Sequence, residues 1–393
     1  MRLLTTVTGS PSHARAVLPF ARAVGAAGHE VMVACPPQLA SVFDGAPVRV
    51  APVFPEMADA AARFVPRIRA LGPRADPAEV IAQVFGGEHV TDEVRGLREL
   101  CAGSPPDLVL RDGGETAGLL YAEELGVRHV PAPSGAAHVL DPARLGPLLA
   151  QRRIDLGMPA PDDPAALAPW GRLDCLPAAY SFAPAWLPPA QAFRQDDEVV
   201  RGERLPDWIA ALPAGRPLVL GSLGTALPMI ANRSGTQAPG APPVDPAAGL
   251  RALIAAAGSI DDAEIVIATG GLEPGVEPAP HVHLERWVPQ PLLLQVADAL
   301  VTHGGYNTVR EAVRHGVPMV AFPQFGDQFA GAERIASLGL GRRADAASLA
   351  ATIRGVLDDA AIHGRARAAQ RAMLALPPID ARWPARFDER WSR

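Results

Sequence analysis

The chain alternates short apolar runs with segments of helical periodicity, and this alternation restricts its fold more than any other feature. The run LLTTVTG near the N-terminus is followed by a helical pattern near residues 13–27 and then by the run EVMVAC. The same succession returns as DLVLRD, a helix around 117–125 and VRHVP, and again as DALVTHGG, a helix at 308–314 and VPMVAFP. Such strand–helix–strand units predict parallel sheets covered by crossover helices, which is an α/β fold.

Two domains are expected from the length. A chain of 393 residues is too long for a single hydrophobic core. The stretch 184–216 is rich in proline and leads into a new apolar run, PLVLGSLG, so we interpret it as a linker. We therefore predict domains at 1–205 and 206–375. The aromatic residues of the last stretch stand near helical spacing, which predicts a C-terminal helix at 376–393 that packs across the domains.

Composition and charge exclude several classes of function. The formal net charge of −6 argues against nucleic acid or an anionic membrane surface as the main partner. The chain contains no lysine, so it has neither a P-loop nor a Schiff-base site built on a lysine amine. Cys35, Cys101 and Cys175 are far apart, which disfavours a disulfide framework or a cysteine zinc site. No signal-peptide pattern and no apolar run of membrane-spanning length stand in the sequence, so we expect a cytoplasmic protein.

The most specific motif lies in the second half of the chain. The segment RWVPQ at 286–290 is followed by VTHGGYNTVREAVRHGVPMVAFPQFGDQ at 301–328. A strand that ends at Thr302, a glycine pair that permits a tight turn and a helix that begins near Asn307 present free backbone N–H groups and a partial positive charge. This arrangement suits a diphosphate without lysine or metal, and the chain has no Asp-x-Asp pair to hold a divalent cation.

Polar side chains surround that turn in the sequence. Glu311, one turn along the helix, can accept hydrogen bonds from ribose hydroxyls. Asp327 and Gln328 stand where a strand ends, which is the edge where ligands bind in open α/β sheets. A glycine pair alone is usually only a turn, and a lone tryptophan such as Trp287 is more often part of a core. The order of aromatic residue, glutamine, HGG, helix, strand and Asp-Gln is far more specific than any one of these parts.

The segment resembles the donor signature of the GT-B, family 1 glycosyltransferases, which include plant small-molecule and bacterial antibiotic or macrolide glycosyltransferases. At Tyr306 and Gly304 the sequence departs from the plant members, which carry Trp and Cys there, and this leaves the donor sugar open. The donor-binding residues that the resemblance implies are Trp287 for the nucleobase, Gln290 and Glu311 for the ribose, His303, Asn307 and Thr308 for the diphosphate, and Asp327 and Gln328 for the transferred sugar, with Val288 and Gly305 beside them.

A histidine and an aspartate in the first half are candidate catalytic residues. His13 stands in the loop after the first strand, where an imidazole with an ordinary pKa near about 6.5 can take a proton. Asp112 ends the strand DLVLRD and can either orient that imidazole or cap a helix, and spacing alone leaves the two interpretations even. Asp107 opens the same strand and so lies at the opposite edge. The resemblance extends to SH…PFARA…AGHEV and PDLVL-x-D, and it implies that His13 is the base and Asp112 its partner.

The turn GSLGT at 221–225 is a weaker signal, because many α/β proteins have such a turn. It resembles the SLGT turn that lies beside the diphosphate in the same family, which adds Ser222 and Thr225 to the donor candidates.

The resemblance implies a GT-B fold, in which two Rossmann-like domains face one another across a cleft. The first domain is expected to bind the acceptor and the second the nucleotide-sugar. The implied reaction is an inverting, metal-independent transfer from a dTDP- or UDP-linked sugar to a hydroxyl of a hydrophobic natural-product aglycone. No cofactor is expected besides this co-substrate. The identities of sugar, nucleotide and aglycone are left open, as is association into a homodimer.

Alternative functions are a nicotinamide dehydrogenase, a C-glycosyltransferase, a sugar epimerase of GT-B fold and a non-catalytic partner of another transferase. The dehydrogenase is disfavoured because GSPSH, and not GxGxxG, follows the first strand. The non-catalytic partner is disfavoured by the presence of both His13 and Asp112. The other two share the donor half and differ in their products.

Overall fold

The protein was analysed as a computed structural model. By internal contacts it divides into two compact units, Met1–Gln195 together with Pro377–Arg393, and Asp196–Leu376. The first unit ends earlier along the chain than the predicted boundary at residue 205. Asp197, near the start of the second unit, pairs with Arg314 of the same unit at 2.9 Å. The structure describes residues 1–72, 76–134, 140–159, 167–197, 203–224 and 245–388.

The first unit is built on a five-stranded parallel sheet of order β3-β2-β1-β4-β5. A separate pair of parallel strands follows it. The strands are β1 (Arg2–Thr6), β2 (Glu30–Ala34), β3 (Arg49–Ala51), β4 (Leu108–Arg111), β5 (Arg128–Pro131), β6 (Arg172–Asp174) and β7 (Ala190–Ala192). The helices are α1 (Pro11–Ala26), α2 (Met57–Ala70), α3 (Pro77–Gly86), α4 (His89–Cys101), α5 (Ala117–Leu125) and α6 (Pro142–Asp155).

Helices cover both faces of this sheet. Leu108 and Leu110 of β4 pack in one buried cluster with Phe20 of α1. Val109, which points the other way along the same strand, packs in a second cluster with Leu120 of α5. Strands buried on both faces have continuous apolar runs, as parallel sheets require. This confirms the strands and helices that the sequence predicts for the first half.

The C-terminal segment corrects one prediction. In place of a long helix, its described part forms a 3-10 helix of four residues, Trp383–Arg386. Trp383 is fully buried, and its indole N–H donates to the carbonyl of Phe20 at 3.0 Å. Phe387 packs edge-on against Trp383, with ring centroids 6.3 Å apart. The aromatic spacing therefore reflects packing onto the first unit, whose core this segment joins.

The second unit has a six-stranded parallel sheet of order β10-β9-β8-β11-β12-β13, which is the strand order of dinucleotide-binding Rossmann folds. Its strands are β8 (Leu218–Ser222), β9 (Glu264–Ala268), β10 (Val282–Glu285), β11 (Ala299–Thr302), β12 (Met319–Ala321) and β13 (Gly341–Arg343). Its helices are α7 (Asp207–Ala210), α8 (Ala248–Gly258), α9 (Gln290–Leu293), α10 (Tyr306–His315), α11 (Gln328–Ser337), α12 (Leu349–Leu357) and α13 (Ala360–Leu374).

Each sheet reverses its strand order once, between β1 and β4 in the first unit and between β8 and β11 in the second. Ligands of open α/β sheets bind at this place, outside the carboxyl ends of the strands. In the first unit His13 follows β1 and Asp112 follows β4. In the second unit Gly224 follows β8 and His303 follows β11. The fold thus brings the sequence candidates to the reversal point of their own sheets. No helix in the described ranges is long and apolar enough to span a bilayer.

Candidate active site

His13 and Asp112 meet at the reversal point of the first sheet. His13 lies in the first turn of α1, and its Nδ1 atom is 2.7 Å from Oδ2 of Asp112. The aspartate side chain is fully buried, whereas the histidine side chain is 20% exposed. Asp112 is not a helix cap, because α5 begins at Ala117 with Thr116 at its N-cap position. Asp107 accepts the backbone N–H of Arg2 at 2.7 Å, at the opposite edge of the sheet, as predicted.

Backbone contacts hold this pair in place. The N–H of Asp112 donates to the carbonyl of Thr6 at 2.8 Å, and its carbonyl accepts the N–H of Glu115 at 3.0 Å. Gly9 turns with a φ of +81°, and a Cβ at that position would lie 3.3 Å from Nδ1 of His13. A glycine therefore permits both the turn and the close approach of the imidazole.

The charge arrangement of the pair is that of a general base with its orienting carboxylate. A carboxylate can only accept at Nδ1, so the proton of the neutral imidazole lies on Nδ1. An imidazole with its proton on Nδ1 has its lone pair on Nε2, and a carboxylate at Nδ1 stabilises the imidazolium form. Two further acidic residues lie behind the pair. Burial raises the pKa of Glu115, whose carboxylate accepts from the Thr6 hydroxyl, and raises that of the buried Glu93 well above its ordinary value.

The first unit contains a pocket that reaches the turn after Asp112. Gly113, the residue after Asp112, forms part of its wall. Apolar side chains supply much of the remaining surface, among them Leu140, Leu167, Leu173, Trp186 and Leu187. Arg111 and Arg172 also line the pocket, so it suits a largely apolar group.

In the second unit the HGG turn leads from β11 into α10. Gly305 occupies the N-cap position of the helix, which begins at Tyr306. The N–H groups of the first turn of a helix have no acceptor within it, so they present a partial positive charge to an anion. Gly304 turns with a φ of +90°, and its carbonyl lies so close to Gly331 of α11 that no Cβ fits between them. The glycines thus let the turn pack tightly beneath the helix N-terminus.

His303 is enclosed by two glycines. A Cβ at Gly224 would lie 2.6 Å from its Cε1 atom, and a Cβ at Gly305 would overlap its Nε2 atom. Burial lowers the pKa of His303 to about 4, although a hydrogen bond with the backbone of Ser222 opposes the shift. At neutral pH this imidazole is uncharged, and its single N–H group donates to the backbone of Ser222 next to the helix N-terminus.

The two residues expected at the ribose are in contact. The side-chain amide of Gln290, at the start of α9, donates to Oε2 of Glu311 in α10 at 2.6 Å. Arg310 lies against the other carboxylate oxygen at 3.4 Å and is itself buried. Trp287 leaves 58% of its surface exposed, which makes it one of the exposed large apolar side chains of the protein. The main-chain carbonyl of Val288 accepts the N–H of Gln290 at 2.8 Å.

The remaining candidates for donor binding lie on several different elements of the second unit. Asn307 and Thr308 lie in the first turn of α10, and Ser222 ends β8. Asp327 is the N-cap residue of α11. Thr225 lies outside the described residues.

The side chain of Gln328 binds the loop that follows β12. It is buried, and its side-chain oxygen accepts the backbone N–H groups of Gln324 at 2.8 Å and Phe325 at 3.2 Å. This oxygen stabilises the loop after β12, so only the NH₂ group of the amide remains for a sugar.

Sequence reasoning missed several residues that shape these sites. Gly224 lies in the motif GSLGT, in which Ser222 and Thr225 have polar side chains that indicate a role and the glycine has none. Arg310 and Arg111 were missed because a charged residue beside an apolar run is normally taken as solvated, whereas both are buried. Among the described residues, no group of three or more His, Cys, Asp or Glu side chains is arranged to hold a metal ion.

Comparison with known proteins identifies relatives along most of the chain. The family described as erythromycin biosynthesis protein CIII-like, C-terminal domain, matches residues 251–380. The L-demethylnoviosyl transferase of Streptomyces niveus is 31% identical over 369 residues, which cover 87% of this chain and 84% of that protein. The tylactone mycaminosyltransferase of Streptomyces fradiae is 27% identical over 430 residues and covers 96% of this chain and 90% of its own.

A solved structure agrees with these relatives. The glycosyltransferase VinC, crystallised in complex with dTDP, is 25% identical, covers 96% of each chain and superposes with a TM-score of 0.69. Both Rossmann-like units, the donor motif and the similarity to the Streptomyces niveus enzyme therefore lead to one assignment. The chain belongs to the GT-B, family 1 glycosyltransferases, the family of the bacterial antibiotic glycosyltransferases, and it is an enzyme that takes its sugar from a nucleotide-sugar donor.

Proposed function

We propose that this enzyme transfers a sugar to a hydroxyl group of a hydrophobic natural-product acceptor, with inversion at the anomeric carbon and without a metal ion or other cofactor. The observation that carries the proposal is the His13–Asp112 pair, with 2.7 Å between Nδ1 and Oδ2. An imidazole backed by a buried carboxylate is the group that a direct displacement needs, because the acceptor hydroxyl must lose its proton as it attacks.

The step balances as a single displacement. The hydroxyl proton of the acceptor passes to Nε2 of His13, and the acceptor oxygen forms a bond to the anomeric carbon. The bond from that carbon to the diphosphate oxygen breaks, and its electron pair leaves with the nucleoside diphosphate. A nucleophile that enters opposite to the leaving group inverts the configuration.

The helix N-terminus supports departure of the diphosphate without a metal ion. The charge that grows on the leaving oxygen meets the first-turn N–H groups of α10 and the neutral His303 beside them. Fixed donors of this kind stabilise the leaving group because they need no reorganisation during the reaction. Trp287, Gln290 and Glu311 would hold the nucleoside, with Asp327 and Gln328 near the sugar.

The lining of the pocket supports the proposed acceptor class, and the related proteins support the proposed nucleotide. The pocket beside Gly113 is lined largely by apolar side chains, which suits a hydrophobic aglycone. The Streptomyces niveus relative is named as an L-demethylnoviosyl transferase and the Streptomyces fradiae relative as a tylactone mycaminosyltransferase. VinC was crystallised with dTDP, which favours a dTDP-linked donor over a UDP-linked one.

The test is a reaction of the purified enzyme with dTDP- and UDP-sugars of known anomeric configuration and a panel of polyketide and phenolic acceptors, in EDTA. We expect a new O-glycoside whose anomeric proton coupling shows inversion, at a rate that EDTA does not change. A retained anomeric configuration, or activity lost in EDTA and restored by Mg²⁺, contradicts the mechanism. An acid-stable C–C-linked product, or an isomerised donor with no glycoside, identifies a C-glycosyltransferase or an epimerase.

A further inference from the structure

The turn that carries Asp112 is wrapped around the guanidinium group of Arg111. Arg111 is the last residue of β4, and only 1% of its surface is exposed. Its Nη1 atom donates to the carbonyls of Glu115 at 2.9 Å, Gly113 at 3.2 Å and Asp112 at 3.5 Å. Three carbonyls of one short turn thus point at a single charged group.

The rest of the guanidinium is bonded on its far side. Nη2 donates to the carbonyl of Leu167, whose side chain lines the apolar pocket. Nε donates to Nδ1 of His129 at 3.3 Å. Burial, followed by the charges of Arg111 and Arg153, lowers the pKa of His129 far below its ordinary value, so this imidazole is neutral and can accept. The planar fork of arginine supplies five N–H donors in fixed directions, which an ammonium group does not.

We infer that Arg111 is a positioning residue for the catalytic pair, an inference that rests on the proposed role of His13 as the base. The turn contains Gly113 and Gly114, and glycine leaves the backbone more freedom than any other residue. Bonds from Arg111 to the carbonyls on both sides of this glycine pair fix the peptide planes from which the Asp112 side chain projects. Without them the turn adopts other conformations, and the carboxylate loses its alignment with Nδ1 of His13.

Burial of the arginine also places a positive charge behind the pair. Burial lowers the pKa of Arg111 to about 10, while the nearby Glu115, Asp112 and Glu123 carboxylates oppose the shift, so the group stays protonated at neutral pH. The guanidinium therefore both orders the turn and balances the negative charge gathered there.

The experiment compares Arg111→Met with Arg153→Met. Arg153 is an equally buried arginine of the same unit, and Glu123 accepts from its Nε and Nη2 atoms at 2.9 Å each. Its replacement controls for the loss of a buried arginine as such. The readouts are kcat at the pH plateau, dTDP affinity, and the titration of His13 followed by the ¹³Cε1–H signal of labelled histidine.

For Arg111→Met we expect kcat to fall about tenfold to a hundredfold, with dTDP affinity unchanged. The midpoint of the His13 titration should move to lower pH, because a misaligned carboxylate no longer stabilises the imidazolium. Arg153→Met should leave kcat and that midpoint where they are. If both variants lose thermal stability alike and neither changes kcat or the His13 titration, Arg111 is merely structural and the inference is wrong.

A measurement on the wild-type protein covers the case in which Arg111→Met does not fold. The guanidinium nitrogen signals of Arg111 should shift with pH at the same midpoint as His13, since Asp112 joins the two groups. If the guanidinium signals of Arg111 do not change at the pH at which His13 titrates, the inference is wrong. The titrations of His13 and Arg111 do not depend on turnover, so they stay distinct from the proposed function, which fails instead if His13→Ala keeps the full rate.

Discussion

The two units place a pair of loops at the same point of their sheets, after the strands that are first and fourth in chain order and lie side by side in each sheet, and these loops carry opposite partners for a histidine. In the first unit these loops hold His13 and Asp112, an imidazole on a buried carboxylate. In the second they hold Gly224 and His303, an imidazole against a residue with no side chain. A carboxylate partner favours the protonated ring, whereas burial without one favours the neutral ring. The same residue type thus has surroundings that favour its protonated form in one unit and its neutral form in the other, as the proposed roles of His13 and His303 require.

Removal of His13 should have the largest effect of any single change. His13→Ala deletes the group that takes the acceptor proton, and we expect kcat/KM to fall by about a hundredfold to ten-thousandfold. Affinity for dTDP, measured by calorimetry, should not change, because no donor-binding residue is altered. Asp112→Asn keeps the shape of the pair but not its charge, and it should cost less than His13→Ala. If His13→Ala retained the wild-type rate, His13 would not be the base, and the proposed difference in role between His13 and His303 would be wrong.

Closing the space around His303 should have the next largest effect. Gly305 has an ordinary φ of −67°, so alanine is allowed there by the backbone, but its Cβ would overlap Nε2 of His303. We expect Gly305→Ala to weaken dTDP binding about tenfold to a hundredfold, since overpacking displaces the imidazole and the turn.

The matched control for that change is Gly364→Ala in α13, where nothing lies within 4 Å of the added Cβ. This variant should bind dTDP normally and gain roughly 0.5–1 kcal/mol of stability, because alanine is favoured over glycine inside a helix. If Gly305→Ala bound dTDP as tightly as the wild type, the space around His303 would not need to be kept free of a side chain.

The sequence predicts those features of the two units that depend on short segments of the chain. The strands, their helices and the residues that follow each strand can be read from apolar runs and glycines, which is why His13, Asp112 and His303 are found at the predicted edges. Contacts made between distant segments cannot be read in this way. Arg111 depends on the carbonyl of Leu167, and the side-chain oxygen of Gln328 depends on how the loop after β12 folds back.

The C-terminal aromatic residues illustrate the same limit. Their spacing in the sequence is compatible with a helix, and Pro384 is tolerated in a first turn. The buried indole of Trp383 bonds to the carbonyl of Phe20, far away along the chain, and this contact decides the conformation. Periodicity identifies which residues are buried but not the element that buries them.

The burial of His303 should make the free energy of unfolding depend on pH. Its pKa of about 4 in the folded state lies below the ordinary 6.5, so the unfolded chain binds more protons between these values. Stability therefore falls as pH decreases through that window, by up to about 2 kcal/mol between pH 7 and pH 5 for this one group. Urea unfolding of the wild type and of His303→Gln at both pH values measures the difference, and it cancels the similar contribution of His89. An identical pH dependence in the two proteins would mean that His303 is not held neutral.

The smallest expected effect concerns two half-exposed tryptophans, one in each unit. Trp287 is 58% exposed and Trp170 is 48% exposed, with Arg128 packed over the ring of the latter at 4.9 Å. If Trp287 is the platform for the nucleobase, Trp287→Ala should weaken dTDP binding about fivefold to tenfold, the value of one aromatic stacking contact.

The melting temperature of Trp287→Ala should barely change, because a side chain so exposed contributes little to the core. Trp170→Ala removes an aromatic ring of similar exposure from the first unit and should leave dTDP affinity as it is. Calorimetric titration of both variants with dTDP separates the outcomes. Equal loss in both variants would place part of the nucleotide contact on the first unit. No loss in either variant would contradict the proposed role of Trp287 as the platform for the nucleobase.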